Sequence, residues 1–191
     1  SFPCPIIFAL FLNEIKNSNF KRVVQTISYL PHFLSTVIVV SLLQTLLSTQ
    51  TGIVNGALKG MGIGSIYFLG DPAWFRPLYI LSGIWQGTGW STIMFVSALS
   101  AVPDELHEAA KLDGASRLRR VWSVDLPTIM PTIAIMLIMR FGDIMSVGYE
   151  KVLLLYNTNT YVTADVVSTF AQRYGMEGAA KGIASAAEMM N

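Results

Sequence analysis

Three apolar stretches decide what this chain can fold into. Residues 28–47 and 78–99 contain no Asp, Glu, Lys or Arg, and residues 128–147 contain only Arg140 and Asp143. Each matches the ~20 residues that a helix needs to cross a ~30 Å hydrocarbon core. In lipid every backbone N–H and C=O must be satisfied within the segment, which makes such a stretch a helix. Composition agrees: 52% of residues are hydrophobic and 13% charged, against roughly 25% charged in soluble domains. The expected fold is an all-α integral membrane bundle with several spans.

Residues 2–12 are apolar but too short to cross, and read as the tail of a span cut at its start. Residues 13–26 are polar and carry Lys16, Lys21 and Arg22, which favours the cytoplasmic side. Pro31 stands near the start of the first full span, where proline costs least. His32 has no second histidine at ligand spacing, so it reads as an interfacial residue and no metal site is expected. The glycine-rich residues 49–76 read as a flexible outer loop. Tyr67 and Trp74 suit the membrane interface there. Gly60, Gly62 and Gly64 lack the spacing and preceding strand of a dinucleotide site.

In the second full span, Gly83 and Gly87 form a small-xxx-small pair that lets helix backbones approach. Gln86 must find a partner or water, because an unsatisfied amide in lipid is costly. Interhelical packing accounts for Gln86 and Trp90. An amide and an aromatic face are also what a sugar requires, so both are candidates for lining a substrate path.

The loop 101–125 reads as a short helix, a glycine turn and a second short helix. Pro103 and Asp104 suit the first turn, with the aspartate capping it or offsetting the dipole. Leu106, Ala109, Ala110 and Asp113 recur on one face. Gly114 follows as the breaker, since it takes positive φ cheaply. Two alanines let another surface approach the backbone, and Glu108 and Asp113 place charge at the rim. Lys111, Arg117, Arg119 and Arg120 make this the most basic loop, hence cytoplasmic. Two crossings separate it from the basic loop at 16–22, so both lie on the same side.

Pro127 and Pro131 stand at the start of the third full span, 128–147. Arg140 and Asp143 share one helical face there. A buried arginine should face protein or water, so the two form either a structural ion pair or part of a pathway. Residues 148–161 return to the outside. Asp165 is placed to cap a helix, and the Ala- and Gly-rich 179–191 suit the start of a last span completed beyond the chain.

Several function classes are excluded. Cys4 is the single cysteine, so no disulfide within the chain and no cysteine zinc site forms. The net charge of +1 points to no nucleic acid. Two isolated histidines supply no intramembrane active site. An ion-coupled transporter or channel stays as the alternative of another class; it should show broken helices or several intramembrane charges, and only Arg140 and Asp143 qualify.

Glu108-Ala109-Ala110, three residues, Gly114, nine residues, Val124, one residue, then Leu126-Pro127 resembles the EAA loop of ABC-importer permeases. Val124 stands where many members have Ile. In that family the loop is a coupling helix that docks on a cytoplasmic ATPase. The resemblance therefore implies an ATPase-docking role for Glu108, Ala109, Ala110, Asp113, Gly114, Leu126 and Pro127. Downstream, Arg140-Phe-Gly-Asp143, then Gly148-Tyr-Glu150-Lys-Val-Leu, is similar to the branch that imports oligo- and polysaccharides.

The resemblance implies a multi-pass bacterial cell-membrane bundle of the type I ABC-importer permease fold, here truncated at both ends. Its partners would be ATPase subunits, a second permease, an extracellular solute-binding protein, the sugar and membrane lipid. ATP would sit on the partner subunit, so no cofactor and no enzymatic activity are expected here. No Gly-x-x-x-x-Gly-Lys-Ser/Thr loop is present. An amino-acid or peptide permease is the alternative within the class.

Overall fold

The computed structural model describes residues 1–142, 149–166 and 169. Among them every regular element is helical. The chain divides into two compact units. The first draws on 1–33 and on the chain from Gly83 through 142. The second draws on 34–82 and the described residues from 149 onward.

In the first unit, α1 (Pro3–Glu14) and α2 (Ser18–Tyr29) precede a 3₁₀ turn at Leu30–Phe33. Asn17 caps α2 by accepting from the N–H groups of Asn19 and Phe20. The polar stretch expected as a loop is therefore mostly helix. The expected span 28–47 is not one helix either. Pro31 has no N–H to donate to the ladder, and the chain tightens to 3₁₀ there. A new helix, α3 (Thr36–Leu47), starts in the second unit, with Ser35 accepting from the Ile38 N–H.

In the second unit the glycine-rich segment is built, not open. It holds α4 (Ile53–Gly60), and the fully buried Asn55 organises it. The Asn55 Nδ2 donates to the carbonyls of Leu47 (3.0 Å) and Ile66 (3.1 Å), and its Oδ1 accepts from the Ile66 N–H at 2.8 Å. A core of Val40, Phe75, Val152, Leu155 and Ala164 lies alongside. Val152 and Leu155 come from α9 (Tyr149–Leu155), and Ala164 ends α10 (Tyr161–Ala164). Lys151 is buried at its edge, 5.6 Å from the Tyr79 ring centroid.

Helix α5 (Pro72–Ser100) is longer than the expected 78–99 and contributes to both units. Asp71 opens it by accepting from the Ala73 N–H. Its close-approach glycine is Gly89, where a Cβ would overlap the Ser28 carbonyl, whereas a Cβ on Gly87 meets nothing within 4 Å. In the first unit its remainder packs Phe95 and Leu99 against Ala9 of α1 and Ile129.

The chain then passes through α6 (Asp104–Leu112) and α7 (Arg117–Arg120) into a π turn (Val121–Asp125) and α8 (Leu126–Gly142). From Arg117 to Gly142 this is one helix of 26 residues. Among the described residues it is the one helix that is, on its own, long and apolar enough to cross a bilayer. The helix thus starts well before the expected 128. Pro127 and Pro131 lie inside it, and 143–147 fall outside the described residues, as does the expected partial span 179–191.

Candidate functional site

The site is the α6–α7 corner of the first unit. Pro103 stands at the N-cap with extended backbone and gives no side-chain cap, so Asp104 is the first helical residue and not the cap. Asp104 and Glu105 face the positive end of the dipole, and Lys111 faces the negative end. The helix closes as the sequence predicts. Gly114 has φ +75°, its N–H donates to Lys111 O at 3.0 Å, and the Ala115 N–H donates to Ala110 O at 2.9 Å. These two bonds are the Schellman closure, which needs a left-handed residue at the position of Gly114. Ser116 then caps α7 by accepting from the Arg119 N–H.

Helix α6 buries none of its residues. Glu108, Ala109, Asp113 and Gly114 are exposed and Ala110 is half-buried. Around them stand Leu106, Leu112 (89% exposed), Leu118 and Trp122 (70% exposed). An exposed helix with small residues, rim charges and bare leucines is a surface built to be covered. Leu126 is half-buried and Pro127 exposed, at the root of α8.

The π turn sets the geometry behind this surface. Pro127 cannot donate, and its ring clashes with the carbonyl four residues back. The ladder widens there, and the Leu126 N–H donates to Val121 O. On an unbroken α-helix Leu118, Trp122, Asp125 and Ile129 would share one stripe. The wider turn rotates the register, so Leu118 and Trp122 stay outside while Asp125 and Ile129 turn in, each 1% exposed.

Asp125 is the residue that sequence reasoning missed. His107 of α6 reaches it, with Nε2 3.3 Å from Oδ1. Glu14 of α1 and Arg120 of α7 also stand near Asp125. Its Oδ1 and the Nε of Arg120 are buried without a hydrogen bond. No periodicity links 107 to 125. The one signal was a carboxylate next to the apolar Val124 and Leu126.

Of the pathway candidates, the described ones, Gln86, Trp90 and Arg140, do not line one cavity. Arg140 lines a cavity of about 160 Å³ in the first unit with Phe2, Gly87, Ser91, Phe95 and Met136, and its Nη2 donates to Ser1 Oγ at 3.5 Å. Gln86 and Trp90 are not among that cavity's lining residues. Trp90 stacks on His32, with ring centroids 4.7 Å apart and planes 3° apart, and Phe33 meets it edge-on. Gln86 is half-buried and engaged in a contact. Asp143 lies outside the described residues. Among the described residues no group of three or more His, Cys, Asp or Glu could hold a metal ion.

Comparison with known proteins places this geometry. Residues 1–148 match the family described as binding-protein-dependent transport system inner membrane component. The chain is 46% identical to the polygalacturonan/rhamnogalacturonan transport system permease protein YteP of Bacillus subtilis, over 92% of this chain and 55% of that protein. It is 42% identical to protein LplB of Bacillus subtilis, over the same shares. It thus spans about half the length of these curated relatives. The crystal structure of a bacterial alginate ABC transporter in complex with an alginate pentasaccharide-bound periplasmic protein superposes with a TM-score of 0.94 and 46% identity, covering all of this chain and 66% of that one.

Proposed function

The chain belongs to the family of binding-protein-dependent transport system inner membrane components, and we propose that it is the sugar-conducting permease subunit of an ATP-driven importer. The family resides in the bacterial inner membrane. In this reading the helices enclose the substrate path, and a second permease completes it. A solute-binding protein delivers the sugar from outside. Two cytoplasmic ATPase subunits bind and hydrolyse ATP, so this chain needs no nucleotide site or cofactor of its own.

The observation that carries the reading is α6. It is a helix with no fully buried residue, in the basic loop that reads as cytoplasmic, closed by Gly114 and bearing Glu108, Ala109, Ala110 and Asp113. Closure of the ATPases on ATP would move it and so switch the cavity between outward- and inward-facing. The sugar assignment leans on relatives named for polygalacturonan/rhamnogalacturonan and alginate transport. Arg140, in the cavity, offers the positive charge that a uronate carboxylate would need.

A photo-crosslinker at Ala109 in the full-length protein, irradiated in membranes, tests the docking role. A crosslink to the ATPase that disappears when the probe is moved to Phe20, on the exposed side of α2, supports it. Equal crosslinking from both positions, or none from Ala109, contradicts it.

A further inference from the structure

Helix α6 has no fully buried residue, and only His107 and Ala110 of it are half-buried, so apolar packing gives it little grip on the rest of the unit. Its covalent link to the spanning helix runs through Gly114 at positive φ, the most compliant residue type available. Its other end joins α5 through residues 101–103, so on the side of the spanning helix a load on α6 meets only that turn. Something must brace it.

We propose that His107 and Asp125 form that brace and transmit the ATPase stroke from α6 to the spanning helix. The proposal rests on the docking role of α6. Three observations carry it. First, His107 reaches across the glycine turn to within 3.3 Å of Asp125. The contact therefore closes a triangle whose other sides are α6 and α7 with its π turn. Second, Asp125 is 1% exposed at the root of the 26-residue helix, so displacing it displaces that helix. Third, Asp125 Oδ1 accepts no hydrogen bond, and the imidazole is the partner it faces. A buried polar group left without a partner is costly, so His107 cannot drift away cheaply. Glu14 of α1 and Arg120 of α7 are the other charges near Asp125, and neither belongs to α6. Both residues of the pair are positioning residues, since neither touches cargo or nucleotide.

The test uses the full-length protein in its complete complex, with Cys4→Ser and a single cysteine at Ser91, which lines the first-unit cavity. A water-soluble maleimide is the probe, with labelling followed on the peptide that carries the cysteine. In the wild type, trapping the ATPase with ATP and vanadate should change the labelling rate roughly 5-fold or more, the lower range of allosteric coupling. His107→Gln and Asp125→Asn should each abolish most of that change while the ATPase still co-purifies. The double variant should do no worse than either single one, because both remove the same contact. His107→Gln alone decides the matter if Asp125→Asn fails to assemble.

A full-sized labelling change in His107→Gln, or effects that add in the double variant, would overturn the brace and leave the docking reading intact. A wild type that holds its ATPase but ignores vanadate would also overturn the brace. A wild type that holds no ATPase would overturn both.

Discussion

Gly89 of α5 lies so close to the carbonyl of Ser28 that a Cβ on the glycine would overlap it. The obstacle is backbone, which cannot swing aside like the end of a flexible side chain. Gly89→Ala should therefore destabilise the folded protein by about 1–3 kcal/mol, the usual cost of overpacking. Gly87→Ala, where the Cβ meets open space, should be neutral or stabilising by up to ~1 kcal/mol, since alanine is the better helix former. Thermal unfolding of the full-length protein in mild detergent compares the two. Equal losses would contradict the close approach at Gly89.

Asn55 gives a second prediction. Its side chain meets both backbone groups of Ile66 and the Leu47 carbonyl while fully buried. Asn55→Ala strands those groups, at about 1–3 kcal/mol for each left unpaired. Asn55→Asp keeps the acceptor for the Ile66 N–H but buries an unpaired carboxylate facing the Leu47 and Ile66 carbonyls, and should destabilise at least as much as alanine. Limited proteolysis across 49–66 should speed up in both variants, at least as much in Asp as in Ala. An alanine variant as resistant as the wild type would remove the organising role of Asn55.

What was legible in the sequence was whatever depends on local spacing. Gly114 was readable because a helix followed by glycine and an apolar residue has one inexpensive closure, and the Ala110–Ala115 bond realises it. The helical class followed from uncharged runs that have no other way to satisfy their backbone. Boundaries were less legible. Residues 28–47 read as one apolar run because hydropathy does not register the missing donor of Pro31. The glycines of 49–76 suggested an open loop because the bonds that close it come from side chains eight or more residues from their partners, those of Asn55, Lys59 and Ser65. The His107–Asp125 contact was invisible, since it depends on the register shift that Pro127 forces through the π turn.

Gly114 supplies a third prediction. A side chain at φ +75° costs ~1–2 kcal/mol unless it tolerates the left-handed region. Gly114→Asn should keep most of the transport-linked ATP hydrolysis, because asparagine adopts that conformation. Gly114→Val should lose most of it while still inserting in the membrane. Gly114→Asp should also uncouple, by placing extra charge on the docking surface. The readout is ATPase stimulation in the reconstituted complex. Indistinguishable Asn and Val variants would show that the turn geometry does not matter.

The central claim is that α6 docks an ATPase, and co-purification tests it most directly. Full-length protein is drawn from its membranes in mild detergent, with and without Glu108→Lys, and the chains that accompany it are identified. Glu108 is exposed and in the middle of α6, so its reversal leaves the fold intact and changes only the surface. The account predicts that an ATPase accompanies the wild type and is lost or strongly depleted in the variant, with the second permease retained in both. An ATPase held equally well by both, or absent from the wild type, would contradict it.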